Sequence, residues 1–293
     1  MQGTVDGFGY GLVTPVAAYV MACLGGALGL RCTARAVRNG RSFRPGRLLL
    51  GASAIGSGIW SMHFIAMMGF RVEETSIGYD RATTFASLAV GIVMVGIGIF
   101  VVGHRGATTM SLVTGGTITG LGVASMHYLG MAGMRLQGRL EYDTATVALS
   151  VVIAVVAATA ALWAAVAVRG FLASLGASLV MGLAVSGMHY TGMAAVGVHV
   201  HEAVEGAVAG DPPAALLAPL LVGPAVFLLL AGVVVMLDPL RGAGEPDGQA
   251  HTDGRAGRPR AQARHPGAGG ERRPAVRAGS RTFRRDPDRG WSD

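Results

Sequence analysis

Residues 61–70 read Ser-Met-His-Phe-Ile-Ala-Met-Met-Gly-Phe and close a long apolar run, which places His63 between methionines where lipid or protein, not water, should surround it. The setting recurs twice. Residues 125–134 read SMHYLGMAGM and residues 187–196 read GMHYTGMAAV, so His63, His127 and His189 are separated by 64 and 62 residues. Regular self-similarity of this kind is the mark of an internally duplicated chain.

Composition fixes the solvent in which these motifs sit. Of 293 residues, 51% are apolar and only 14% charged, and the charges gather in short breaks and in a tail after Leu237. That balance points to a bilayer. A spanning helix needs about 20 predominantly apolar residues. Seven stretches qualify, near Tyr10–Leu30, Leu48–Phe70, Thr84–Val102, Ser111–Met134, Ala145–Val168, Phe171–Val196 and Ala214–Leu237. The expected fold is an all-α integral membrane domain over residues 8–237, built from three parallel two-helix repeats plus a seventh helix. Glycines such as Gly25 with Gly29 and Gly116 with Gly120 have the small-xxx-small spacing that lets membrane helices approach closely.

Every basic residue is arginine. With no lysine, a retinal Schiff base is excluded. Twenty arginines fall in the first, third and fifth breaks and the tail, against four, Arg71, Arg81, Arg135 and Arg139, in the alternate breaks. The excess predicts an N-terminus outside and a C-terminus in the cytoplasm of a bacterial plasma membrane, crossed several times. Residues 238–293 are rich in Gly, Pro and Arg and are expected to be a disordered cytoplasmic tail. The tail's arginines are diluted by eight acids, with only Phe283 and Trp291 for stacking. A nucleic-acid partner is therefore not expected, and the partner of the chain is the lipid bilayer. Cys23 and Cys32 read as small apolar fillers, and the first nine residues lack the basic start of a secretory signal.

Because the histidines recur every two crossings, all three motifs lie at one membrane depth, one to two turns inside the outer ends of spans two, four and six. Within each motif the histidine shares a helix face with the methionine four residues on: His63 with Met67, His127 with Met131, His189 with Met193. Between them stands Ala66, Gly130 or Gly192, which leaves that face open to another helix. The preceding Met62, Met126 and Met188 point about 100° away. An ionisable group inside a membrane helix is costly and marks a pathway or site. The flanks LLLGASAIGSGIW, LVTGGTITGLGVA and LGASLVMGLAVS have diverged while Met-His-aromatic and the later Met persist. Thioether and imidazole together select copper; zinc, which prefers Cys, His and carboxylate, ranks lower. Tyr128 and Tyr190 are accessory candidates, as are His199 and His201, placed in an outer loop. Haem held by two histidines is the alternative cofactor, and copper binding and delivery the alternative function. Without a carboxylate pair, a nucleophile with its base or a phosphate-cradling loop, an enzyme is not expected.

The third copy is literally Met188-His189-Tyr190-Thr191, and the chain resembles the MHYT family of bacterial integral membrane sensor domains from about Phe8 to Leu237. The resemblance implies a sensor that holds copper through Met62, His63, Met67, Met126, His127, Met131, Met188, His189 and Met193. It also implies a response to a diatomic gas such as oxygen, CO or NO, or to redox state. Two copies depart from the name, with Phe64-Ile65 and Tyr128-Leu129 in place of Tyr-Thr. Family members are often fused to cyclic di-GMP enzymes or histidine kinases. The short tail reads as a stand-alone form, whose output would pass to a separate signalling protein.

Overall fold

A computed structural model describes residues 3–7, 9–38, 45–200 and 213–242. Seven long helices account for most of these: α1 (Val13–Arg38), α2 (Pro45–Met68), α3 (Arg81–Arg105), α4 (Thr109–Ala132), α5 (Thr144–Ala167), α6 (Phe171–Ala194) and α7 (Pro213–Gly242). They match the seven expected stretches, with ends displaced by a few residues. The largest departures are α1, which carries Arg31, Arg35 and Arg38 on its last turns, and α7, which continues to Gly242. Most of the expected tail, from residue 243 on, lies outside the described residues, as does His201.

Six of the seven helices are long and apolar enough to cross a membrane. The exception is α4, 24 residues long but loaded with Thr114, Thr117, Thr119 and four glycines between Gly115 and Gly122. Those residues serve close packing. A Cβ on Gly116 would meet the Thr159 backbone at 2.6 Å, and one on Gly120 the Val155 Cα at 2.4 Å. Hydropathy is what α4 gives up to sit tightly between α3 and α5. Large apolar side chains such as Leu172, Leu183, Leu229 and Phe100 are exposed on other helices, the surface expected against lipid tails.

From α1 to α6 each helix packs on its neighbour in sequence, and α1 closes the circle on α6, while α7 lies against α1 and α2. Another close crossing joins α1 to α2, where a Cβ on Gly25 would stand 2.7 Å from the Gly58 Cα and 2.7 Å from the Ala54 carbonyl oxygen. This is the close approach that the small-residue spacing predicts.

At one end of the bundle, short strands tie the helices in pairs: β1 (Val5–Asp6) with β2 (Arg71–Val72), β3 (Gly78–Tyr79) with β4 (Met134–Arg135), and β5 (Gly138–Tyr142) with β6 (Val196–Val200), all antiparallel. Each pair joins the strand before one helix to the strand after the next. The chain thus advances in three strand–helix–helix–strand units. His199 stands on β6, not in a loop, because the alternation of Val196, Val198 and Val200 favours pairing with β5.

Two of the units share a start signal. Tyr79-Asp80-x-Ala82-Thr83 opens α3, and Tyr142-Asp143-x-Ala145-Thr146 opens α5. The Asp80 carboxylate accepts from the Thr83 N–H at 2.8 Å and hydroxyl at 2.7 Å, and Asp143 accepts from Thr146 at 2.8 and 2.6 Å. These side-chain and backbone hydrogen bonds hold both carboxyls below the usual value of 3.8. Glu74 is likewise lowered by the Thr4 N–H, which it accepts at 2.9 Å. A group depressed in the folded state adds stability above its unfolded value and loses it as pH falls through the folded one. Thermal stability in detergent is therefore expected to drop as pH is lowered through and below the ordinary carboxylate range. The Asp80→Asn, Asp143→Asn double variant should show a shallower fall. Gly25→Val should cost about 1–3 kcal/mol by overpacking the α1–α2 crossing, read as a lowered denaturation midpoint.

Candidate metal centre

The motif helices α2, α4 and α6 bring His63, His127 and His189 to one point. The Nδ1 atoms form a near-equilateral triangle: His63 to His189 3.1 Å, His63 to His127 3.1 Å, and His127 to His189 3.3 Å. The rings meet edge to face at 80–89°, with centroids 4.9–5.1 Å apart, and all three residues are 1% exposed. Equal depth on three helices was legible from the spacing; convergence on a shared axis was not.

Such a triangle is electrostatically frustrated. In a neutral imidazole Nδ1 either donates or accepts, so among three nitrogens at least two are alike. One edge must then set lone pair against lone pair or hydrogen against hydrogen. A cation at the centre removes the conflict, because all three lone pairs can point at it. A point equidistant from nitrogens so spaced lies about 1.8 Å from each, the side divided by √3, against about 2.0–2.1 Å for a metal–imidazole bond. A slight opening of the triangle suffices. Among the described residues, this is the group of three metal-binding side chains that the fold assembles.

The small residues of the motif explain how the rings come so close. A Cβ on Gly130 would lie 2.6 Å from His63 Nε2, and one on Gly192 2.5 Å from His127 Nε2. Each glycine therefore receives the imidazole of the preceding motif. The Nε2 atoms of His63 and His127 are buried without a hydrogen-bond partner, so these rings find their polar contacts at Nδ1 alone.

The other expected site residues are distributed differently. Met62, Met67, Met126, Met131 and Met188 are almost wholly buried, and Met193 is half-buried. Met126 lies toward α3, where a Cβ on Gly91 would meet its Cγ at 3.2 Å. Met188 faces the interior of the bundle. Tyr128 packs edge-on to His127 at 4.8 Å and its hydroxyl pairs with Ser150 at 2.6 Å; Tyr190 packs on His189 at 5.0 Å. His199 is drawn away to the exposed paired strands, its Nε2 3.1 Å from the Glu141 carboxylate.

A cover over the cluster escaped the sequence reading. Phe64, itself 4.6 Å from His63, is met by Tyr79 at 6.0 Å, and Tyr128 is met by Tyr142 at 6.0 Å. Eight residues beyond each tyrosine, Ser87 and Ser150 fasten the motif helices to the next helix. Ser87 accepts from the indole N–H of the buried Trp60 at 3.0 Å, in parallel with Ser150 on Tyr128. The repeated Tyr-Asp-x-Ala-Thr was the signal that could have found them.

The repeated motifs match a known family. The family described as MHYT, bacterial signalling protein N terminal repeat, matches residues 56–115, 120–178 and 182–245. Each histidine stands seven residues after the start of its window. The bifunctional diguanylate cyclase/cyclic di-GMP phosphodiesterase MucR of Pseudomonas aeruginosa is 41% identical over 153 residues, 50% of this chain and 22% of the relative. The cyclic di-GMP phosphodiesterase NbdA of the same organism is 35% identical over 187 residues, 61% of this chain and 23% of the relative. The signaling protein YkoW of Bacillus subtilis is 33% identical over 159 residues, 52% of this chain and 20% of the relative. The chain thus spans roughly a fifth of the length of these curated relatives. No solved structure matches it. With three motif windows on three converging helices, the chain belongs to the MHYT family of bacterial signalling proteins, as a multi-pass membrane unit.

Proposed function

We propose that the chain is a membrane sensor unit in which His63, His127 and His189 together hold one copper ion through Nδ1 and respond to a diatomic gas or to redox state. The observation that carries the reading is the triangle of buried nitrogens 3.1–3.3 Å apart. When bound, copper supplies a redox-active centre able to take a gas ligand. The protein's part is to aim three neutral nitrogens at one point and to exclude water with the aromatic cover. No carboxylate belongs to the cluster, so the charge of the ion is not neutralised. Desolvation cost grows with the square of charge, which favours monovalent copper(I) over a divalent ion at this depth. The motif methionines are the proposed further soft ligands.

Haem between two of these histidines is less well supported. Two axial nitrogens on one iron stand about 4 Å apart across a macrocycle, twice a metal–nitrogen bond, and here three crowd one centre. Copper delivery is also less favoured, because the interior beyond the cluster is lined almost wholly by apolar side chains. The arginine asymmetry supports an orientation with the strand-paired end and the cluster on the outer side of the bacterial plasma membrane. Two of the relatives are cyclic di-GMP enzymes. We extend to this chain a signalling output of that class, carried by a partner protein or by further sequence.

Purified in membranes and loaded with copper(I), the protein should carry roughly one copper per chain. Each of His63→Ala, His127→Ala and His189→Ala should weaken binding by more than about tenfold, with the triple variant little worse than any single one. Retention of about two-thirds of the metal by every single variant would mean three separate sites. A wild type that takes up no copper would remove the metal reading altogether. Gly192→Val keeps every proposed ligand but intrudes on the His127 ring, so it should lose copper comparably while the far-ultraviolet helical signal stays.

A further inference from the structure

On the side of the cluster away from the strand pairs the bundle contains a cavity, and its wall repeats the geometry of the motif. One turn before each histidine stand Ile59, Val123 and Val185; two turns before stand Ile55, Thr119 and Met181. All six line the cavity. A residue four positions earlier shares the histidine's helix face, about 6 Å along the axis. The three helices that aim imidazoles at a common point therefore aim five apolar side chains and Thr119 at the space directly behind it. Met188, adjacent to His189, is part of the same wall. On the flank, α5 contributes Ala154 and Ala158, whose small size keeps the space open.

The cavity measures about 40 Å³, more than the roughly 10–15 Å³ that a single water requires. Its wall is apolar apart from the hydroxyls of Thr33 and Thr119, which have no hydrogen-bond partner. A water needs two to four polar partners and finds few here. A small apolar molecule needs none, and it is already concentrated in the surrounding hydrocarbon.

We propose that this axial cavity is a binding site for a small apolar molecule of the size of a diatomic gas, held against Met188 and one helical turn from the three imidazoles. The physiological role of the site rests on the sensing reading above. Its existence as an apolar gas site does not depend on which metal, if any, the histidines hold.

Xenon tests it directly. The full chain, with its methionine methyls labelled with carbon-13, is placed in nanodiscs and titrated with xenon by NMR. Saturable shifts are expected at Met181 and Met188. Met110, largely exposed on the surface of α4, should show only the weak linear drift of gas dissolved in lipid. Ala158→Leu, which fills the space, should abolish the saturable component, and Val123→Ala, which enlarges it, should raise xenon affinity. Should Ala158→Leu not fold, Val123→Ala alone decides: unchanged affinity overturns the site. So does a wild type in which Met181 and Met188 drift no more than Met110. Copper content measured on the same samples separates the two readings. Failure of the metal reading leaves the xenon shifts in place, and failure of the cavity leaves copper bound.

Discussion

Three imidazoles in mutual contact, with no acid among them, set the terms for the rest of the bundle. A lone histidine inside a membrane helix can turn to a backbone carbonyl or to the interface. These three instead turn Nδ1 inward to one another at 3.1–3.3 Å, an arrangement that repels along at least one edge unless something positive lies between them. The fold must press the rings together against that repulsion. It does so by replacing side chain with glycine where the His63 and His127 rings land, at Gly130 and Gly192. Behind two of the motif helices, α2 and α4, a serine holds the helix to the next one, Ser87 to Trp60 and Ser150 to Tyr128.

The strand pairs complete the constraint from one end. In all three units the strand leaving the motif helix pairs with the strand entering the helix before it, so each motif is tethered within about two turns of its histidine. Hydrogen-bonded caps at Asp80 and Asp143 fix where the following helices start. Restraint is concentrated at the end that holds the cluster, while the cavity behind it is walled by side chains with no polar ties across it. The order is an apolar space behind, hydrogen-bonded strands in front, and three imidazole nitrogens at the junction.

Much of the helical layout was legible because membrane helices announce themselves by length and apolarity. Depth was legible too, since the 64- and 62-residue intervals span two crossings each. What spacing could not give was azimuth. Whether three equally deep histidines face one axis depends on how the helices rotate against each other, and that rotation is fixed by contacts such as Gly120 on Val155 that no single helix encodes. Strands of two residues carry too little pattern to stand out, which is why β1 to β4 were not anticipated. The Tyr-Asp-x-Ala-Thr repeat was visible but sits in polar breaks, where duplication is harder to notice than among methionines and histidines. His199 drew notice as a candidate ligand, and its partnership with Glu141 on a paired strand reflects a sheet that the loop reading left out.

The position of α7 breaks the threefold equivalence of the units. It packs chiefly on α1 and α2, so of the three helices that carry a cluster histidine, it is the one bearing His63 that adjoins the segment leading out of the bundle toward Gly242. A change in the cluster felt equally by three rings is consequently delivered unequally. Displacement of α2 reaches α7 by direct contact, whereas displacement of α4 or α6 must first travel around the ring. The three rings share one centre, yet the helices that carry them stand unequally close to the last helix of the bundle.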